Sequence, residues 1–157
     1  MELSVDENAP DFCLPDKDSQ TVCLHDFKGK WVILYFYPKD NTRGCTLEAV
    51  SFSAHLQDFH QKNAAVLGVS PDSSKSHSNF AEAHKLKVTL LSDPSHAVLE
   101  DYGVWQLKTL YGREYYGVVR STFLINPEGK IAHIWRNVRV ENHVNIVKQT
   151  LSKLQKV

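Results

Sequence analysis

The run Trp31-Val32-Ile33-Leu34-Tyr35-Phe36-Tyr37 constrains this chain more than any other stretch. Its unbroken apolar, aromatic and β-branched character predicts a strand buried on both faces, and Pro38, which has no N–H to donate, ends that strand's ladder. After Gly44, apolar residues recur at Ala49, Phe52, Leu56 and Phe59, which predicts one face of a helix reaching about Lys62. Ala64-Ala65-Val66-Leu67-Gly68-Val69-Ser70 repeats the buried-strand pattern. Strand, helix and strand in that order make a β-α-β unit, whose two strands are expected to run parallel.

The polar loop between the first strand and the helix delivers Cys45 to the helix's first turn. Unpaired backbone N–H groups and the positive end of the helix dipole favour an anion there, which for cysteine is the nucleophilic thiolate. Two readings remain open, a reactive thiol and an inert small residue at a helix start. Arg120 interrupts the otherwise apolar run Val118 to Ile125, and a guanidinium in such a place needs an anion beside it. That anion is either an ordinary carboxylate or the Cys45 thiolate. Thr42, three residues before Cys45, offers a hydroxyl beside the sulfur or simple loop chemistry. Pro38 either shields the pocket from water or only ends the strand.

Upstream, Phe12-Cys13-Leu14 and Thr21-Val22-Cys23-Leu24 flank a turn and predict a hairpin. With Phe12, Leu14, Val22 and Leu24 inward, Cys13 and Cys23 turn outward, and a symmetric register sets them opposite each other. The plainer expectation is two unrelated small residues. Downstream, Pro71 to Ser74 caps a helix through about Leu86 with Phe80, Ala83 and Leu86 inward, and Val88 to Leu91 is the next strand. Asp93-Pro94 opens a short helix that Gly103 ends. Trp105 to Tyr116 shows no period and is expected to be an irregular connection. Val118 to Ile125, the turn Asn126-Pro127-Glu128-Gly129 and Lys130 to Trp135 form a second hairpin. Val144, Val147, Leu151 and Leu154 then mark one face of a last helix. The order predicts a mixed sheet covered by helices, an α/β fold.

A chain of 157 residues fits one domain spanning 1–157. Eighteen basic and eighteen acidic side chains cancel, which removes the electrostatic case for nucleic acid or an anionic membrane as partner. The N-terminal residues lack the basic and apolar segments of a secretory signal, and no later run is long enough to span a bilayer, so the expected location is cytoplasmic. Three cysteines, none in a C-x-x-C pair, do not make a disulfide scaffold. The eight histidines show no metal spacing and are expected in surface or core roles.

With these residues in view, the chain resembles the peroxiredoxins, within them the bacterioferritin comigratory protein or peroxiredoxin Q group. The matching blocks run almost end to end: Ala9-Pro10-Asp11-Phe12, Asp26 to Lys30, Tyr35 to Asp40, Gly44 to Ala49, Leu90 to Asp93 and Arg120 to Ile125. The P-x-x-x-T-x-x-C signature is present as Pro38, Thr42 and Cys45. The resemblance implies a thioredoxin-like fold with an N-terminal β-hairpin, and a thiol peroxidase that uses no metal, haem or flavin. Cys45 would attack a hydroperoxide and become a sulfenic acid. Thr42 and Arg120 would hold the peroxide while Pro38 limits solvent.

Two departures stand out. Arg43 occupies a place where the group often has proline. Val50 and the vicinity of His84 occupy the places where a resolving cysteine usually stands, and no cysteine follows Cys45. The expectation is therefore a one-cysteine cycle with glutathione, glutaredoxin or a thioredoxin-type reductant, in a monomer or weak homodimer. The alternative is a redox sensor or holdase chaperone on the same scaffold.

Overall fold

The computed structural model describes residues 2–156. Nine strands and five helices follow one another as β1 (Cys13–Pro15), β2 (Thr21–Cys23), β3 (Trp31–Phe36), α1 (Arg43–Ala54), α2 (Leu56–Gln61), β4 (Ala64–Ser70), α3 (Ser74–His84), β5 (Thr89–Ser92), α4 (Ala97–Asp101), β6 (Trp105–Leu110), β7 (Arg113–Val118), β8 (Ser121–Ile125), β9 (Ile131–Trp135) and α5 (His143–Gln155). A short 3-10 turn, Leu24–Phe27, follows β2. Among the described residues no helix is long and apolar enough to cross a membrane.

The central sheet has the order β5-β4-β3-β8-β9, with β3 in the middle, parallel to β4 and antiparallel to β8. The predicted α/β architecture and β-α-β unit are what the chain forms. Because side chains alternate along a strand, β3 feeds two separate cores. Ile33 and Tyr35, with Tyr37 just beyond the strand, face α1, α3 and α5. Val32, Leu34 and Phe36 face the β1–β2 hairpin, the Leu24 turn and α4. The helix that carries Cys45 and the hairpin that carries the other two cysteines therefore lie on opposite faces of five strands.

Four expectations are corrected. The helix after Gly44 is broken at His55 into α1 and α2, although Phe52 and Phe59 do share its buried face. In α3 the inward residues are His77, Phe80 and Ala81, while Ala83 is exposed. The short helix begins at Ala97, because the Asp93 carboxylate reaches past Pro94 to accept from the backbone N–H of Leu99 at 2.9 Å. Trp105 to Tyr116 is an antiparallel hairpin, turned by Tyr111 and Gly112, both at positive φ. Both of its faces are largely open to solvent, so no apolar alternation marks it, and the Tyr-Gly turn was its one legible signal.

The first hairpin forms in the symmetric register, with Cys13 opposite Cys23, and the two sulfurs are bonded in a disulfide. The expectation of two unrelated small residues is overturned. Both positions lie on the hairpin's outer side, where the inward packing of Phe12, Leu14 and Leu24 leaves them.

Candidate active site

The β3 strand ends at the sheet's carboxyl edge, and residues 38–42 carry the chain from there into α1. One further ladder bond, from the Tyr37 N–H to the Val69 carbonyl at 3.1 Å, precedes the half-buried Pro38. Thr42 is the N-cap residue of α1, with extended backbone (φ −85°, ψ 156°), so Cys45 is the third residue of the helix. The sulfur is buried, at 1% exposure, yet stands at the positive end of a twelve-residue helix.

Arg120 arrives from the other side. Phe36 of β3 pairs with Ser121 of β8, so the residue before Ser121 sits just past the end of β3, over the start of α1. Arg120 therefore precedes its strand rather than interrupting it, because β7 ends at Val118 and β8 begins at Ser121. Its Nη2 donates to the Cys45 sulfur at 3.2 Å, and its Nη1 donates to Oε1 of Glu48, one turn along α1, at 2.7 Å. Both partners named in the sequence reading, a carboxyl group and the Cys45 sulfur, are thus present, and one guanidinium holds them together. Burial works against the Arg120 charge, but Glu48 and Cys45 outweigh it and keep the guanidinium firmly protonated.

Glu48 is the residue that sequence reasoning missed. Its side chain is fully buried, and burial pushes its carboxyl up to about 7 despite the Arg120 charge that pulls it down. Near neutrality it is poised between the neutral and ionised forms, so the share of Arg120's charge left for the sulfur depends on a neighbouring proton. Lys108 of β6 also lies in this field, its amine held below the ordinary value by partial burial and by the Arg120 charge.

Thr42 is where the signature requires, but its hydroxyl donates to the Lys39 carbonyl at 2.8 Å, across the loop, which leaves its oxygen lone pairs as acceptors. The Thr42 carbonyl accepts from the Thr46 N–H at 2.9 Å and the Thr46 hydroxyl at 2.7 Å, closing the first helical turn beneath the cysteine. A shallow depression of about 700 Å³ opens between Gly44, Arg120 and the segment Val138 to Glu141. That segment is attached to the site by the Val138 N–H, which donates to the Arg120 carbonyl at 2.9 Å.

Behind the loop lies a second group absent from the sequence reading. The buried Asp40 carboxylate accepts from the Tyr37 hydroxyl at 2.7 Å and the Ser76 hydroxyl at 2.7 Å, and meets Nδ1 of His77 at 2.7 Å. Nε2 of His77 donates to the Leu91 carbonyl at 2.9 Å, an acceptor only, which fixes where that proton sits. The Asp40 N–H donates to Asp72 at 2.8 Å. Loop, α3 and β5 are thereby tied together, and the only sequence signal was a histidine on the inner face of a helix. His77 is fully buried and His84 is exposed.

A thiol held by a helix terminus and a guanidinium, beside a shallow open depression, suits nucleophilic attack on a small electrophile. A family model described as the AhpC/TSA family matches residues 5–134. Peroxiredoxin Bcp of Bacillus subtilis (strain 168) is 45% identical over 154 residues, 98% of this chain and 98% of that one. Peroxiredoxin Bcp of Escherichia coli (strain K12) is 40% identical over 151 residues, 96% and 97% of the two chains. Among solved structures, a cysteine-to-serine mutant of Xylella fastidiosa PrxQ superposes with a TM-score of 0.91 at 36% identity, over 99% of this chain and 98% of that one. The Xanthomonas campestris bacterioferritin comigratory protein, studied for its alkyl peroxide reduction activity, superposes with a TM-score of 0.87 at 38% identity over 90% of each.

Proposed function

Since this chain belongs to the AhpC/TSA family, with Bcp and peroxiredoxin Q proteins as its relatives, it is a thiol-dependent peroxidase of thioredoxin-like fold, and we propose that Cys45 is the sulfur on which it works. Hydrogen peroxide and alkyl hydroperoxides are its substrates. The Cys45 thiolate attacks the terminal peroxide oxygen, the O–O bond breaks, and water or an alcohol leaves as the sulfur becomes a sulfenic acid. Arg120 faces the attacking sulfur and stabilises the charge moving onto the leaving oxygen. Thr42 holds the peroxide through its oxygen, and Pro38 limits solvent. The observation that carries this reading is the 3.2 Å contact between Arg120 and the Cys45 sulfur.

The sulfenic acid is then reduced from outside. The five-stranded sheet stands between Cys45 and the Cys13–Cys23 pair, which supports a one-cysteine cycle in which an external thiol of the glutathione, glutaredoxin or thioredoxin class attacks the oxidised sulfur. The whole chain acts as one domain in the cytoplasm, as a monomer or weak homodimer. The Cys13–Cys23 disulfide favours one other reading, a two-cysteine cycle in which the reduced pair of one copy resolves Cys45 of another.

Stopped-flow mixing with hydrogen peroxide tests the first claim: rapid loss of peroxide and one added oxygen on Cys45 are expected, with no reaction in Cys45→Ser. Undiminished peroxide consumption by Cys45→Ser would overturn it. Peptide mapping of protein trapped during turnover tests the second, since a Cys45 bridge to Cys13 or Cys23 would establish the two-cysteine cycle. A single stoichiometric oxidation with no turnover under any thiol would point instead to a redox sensor or holdase.

A further inference from the structure

On the face of the molecule away from Cys45, the hairpin disulfide has a neighbour that a merely structural bridge does not need. A ring nitrogen of His25 and the two sulfurs of Cys13 and Cys23 lie within 4.8 Å of one another. The imidazole is built into place: Nδ1 faces Oδ2 of Asp11 at 2.8 Å, and the His25 N–H donates to the other oxygen of the same carboxylate at 3.2 Å. On the other side of the ring, Nε2 stands 3.8 Å from Asp26, whose carboxylate also accepts from the Cys23 N–H at 3.0 Å. Cys13 and His25 are both exposed, and Cys23 is partly so.

We propose that Cys13, Cys23 and His25 form a second redox centre, a thiol–disulfide exchange site for dithiol reductants on the face of the sheet opposite Cys45, with the His25 imidazolium as its proton donor. The reductant's thiolate attacks the more exposed Cys13 sulfur. The Cys13–Cys23 bond breaks, and Cys23 departs as a thiolate that takes the His25 proton. The reductant's second thiol then attacks its own sulfur in the mixed disulfide, and Cys13 is released. Two electrons pass to the pair, two protons end on its sulfurs, and the reductant leaves as a disulfide. The same steps run backwards when a disulfide oxidant meets the reduced pair.

The charge setting supports the assignment. The hydrogen bond to Asp11 and its negative charge raise His25 above its ordinary value, Asp26 adds to this, and slight burial and Lys28 oppose it. Asp11, Asp26 and Lys28 are the charged side chains whose fields act on the ring, and Lys30 and Glu128 line the same cavity. A cationic donor beside the sulfurs lowers the cost of the departing thiolate and supplies its proton. The site is independent of the peroxidase reading, because no step involves Cys45.

The test uses the full-length Cys45→Ser protein, in which only this pair can change redox state. Oxidised protein is mixed with excess dithiothreitol under native conditions, quenched by alkylation and weighed intact. Addition of two alkyl groups with a single rate is expected. Cys45→Ser/His25→Asn should react about tenfold slower or more at pH 6 to 7, with the two rates converging as pH rises past the His25 titration. Circular dichroism melts of both proteins separate a folding defect from a chemical one. Reduction only after denaturation, a pair never found oxidised, or equal rates in the two variants across the pH range would each overturn the proposal. None of these outcomes bears on whether the wild-type protein consumes peroxide.

Discussion

A β-carbon placed on Gly44 would stand 3.2 Å from Nη2 of Arg120, the same nitrogen that donates to the Cys45 sulfur. Arg120 cannot simply swing away, because its Nη1 is held by Glu48. Gly44→Ala should therefore displace the guanidinium by a few tenths of an ångström and lower kcat/KM for peroxide by roughly threefold to tenfold, with little change in melting temperature. Unchanged kinetics would mean that Arg120 is not positioned as described.

Arg120 itself supplies charge and a planar fork. Arg120→Met removes both and should slow peroxide reduction by about a hundredfold, whereas Arg120→Lys keeps the charge and should lose about tenfold. Alkylation of Cys45 at neutral pH should slow in the same order, since the guanidinium that faces the sulfur at 3.2 Å is weakened or lost. Equal alkylation rates in the three proteins would refute the role.

Glu48 and His143 drive the pH dependence of stability in opposite directions. Burial raises the Glu48 carboxyl from its ordinary 4.5 to about 7, so between those values the folded protein holds a proton the unfolded chain has lost, and stability falls as pH rises. His143, buried against Thr122 at 2.9 Å, is lowered from 6.5 to about 4, so the unfolded chain takes up the extra proton and stability falls as pH drops from 6.5 towards 4. Each effect is worth ~3 kcal/mol. Urea titrations should show Glu48→Gln gaining stability more steeply than wild type from pH 4.5 to 7, and His143→Asn losing it over the same interval. Parallel curves for all three proteins would contradict both shifts.

Asp40 accepts from Tyr37 and the half-buried Ser76 and faces His77, with Tyr37 and His77 both inside the protein. Asp40→Ala leaves those groups without their partner and should cost ~3 kcal/mol in urea unfolding. Because the same residue sits in the loop ahead of Cys45, peroxide reduction per folded molecule should fall as well. A variant that is destabilised but fully active would separate the network from the site.

Gly68 pairs with Tyr35 across β3 and β4, and the Tyr35 ring lies over it. A β-carbon there would meet Cζ at 2.6 Å and the hydroxyl oxygen at 2.7 Å. Tyr35 is fully buried and stacked on Phe52 at 4.6 Å, so it has nowhere to go. Gly68→Ala should cost about 1–3 kcal/mol by overpacking, readable as a lowered urea midpoint.

The parts of this molecule legible in the sequence are those where a local rule and the fold agree. The run from Trp31 to Phe36 is apolar because both sides of β3 are core, and Cys45 falls in the first turn of α1 because the loop before it cannot continue a strand. Arg120 was visible as a charge in need of an anion. Glu48 was not, because α1 reverses the usual order: Leu47 and Val50 are exposed while Glu48 is buried, and one acidic residue among eighteen carries no mark of the difference. The β6–β7 hairpin was missed because two solvated faces leave no alternation to read. The Cys13–Cys23 register is one geometric option for the hairpin, and nothing local to either cysteine selects it.

A sheet that parts Cys45 from the hairpin pair has a practical consequence for anyone handling this protein. A whole-molecule thiol count adds together sulfurs from two compartments that need not share a history. A preparation can score half oxidised with Cys45 intact, or score the same with Cys45 spent, so only peptide-level measurement reports its fitness for turnover.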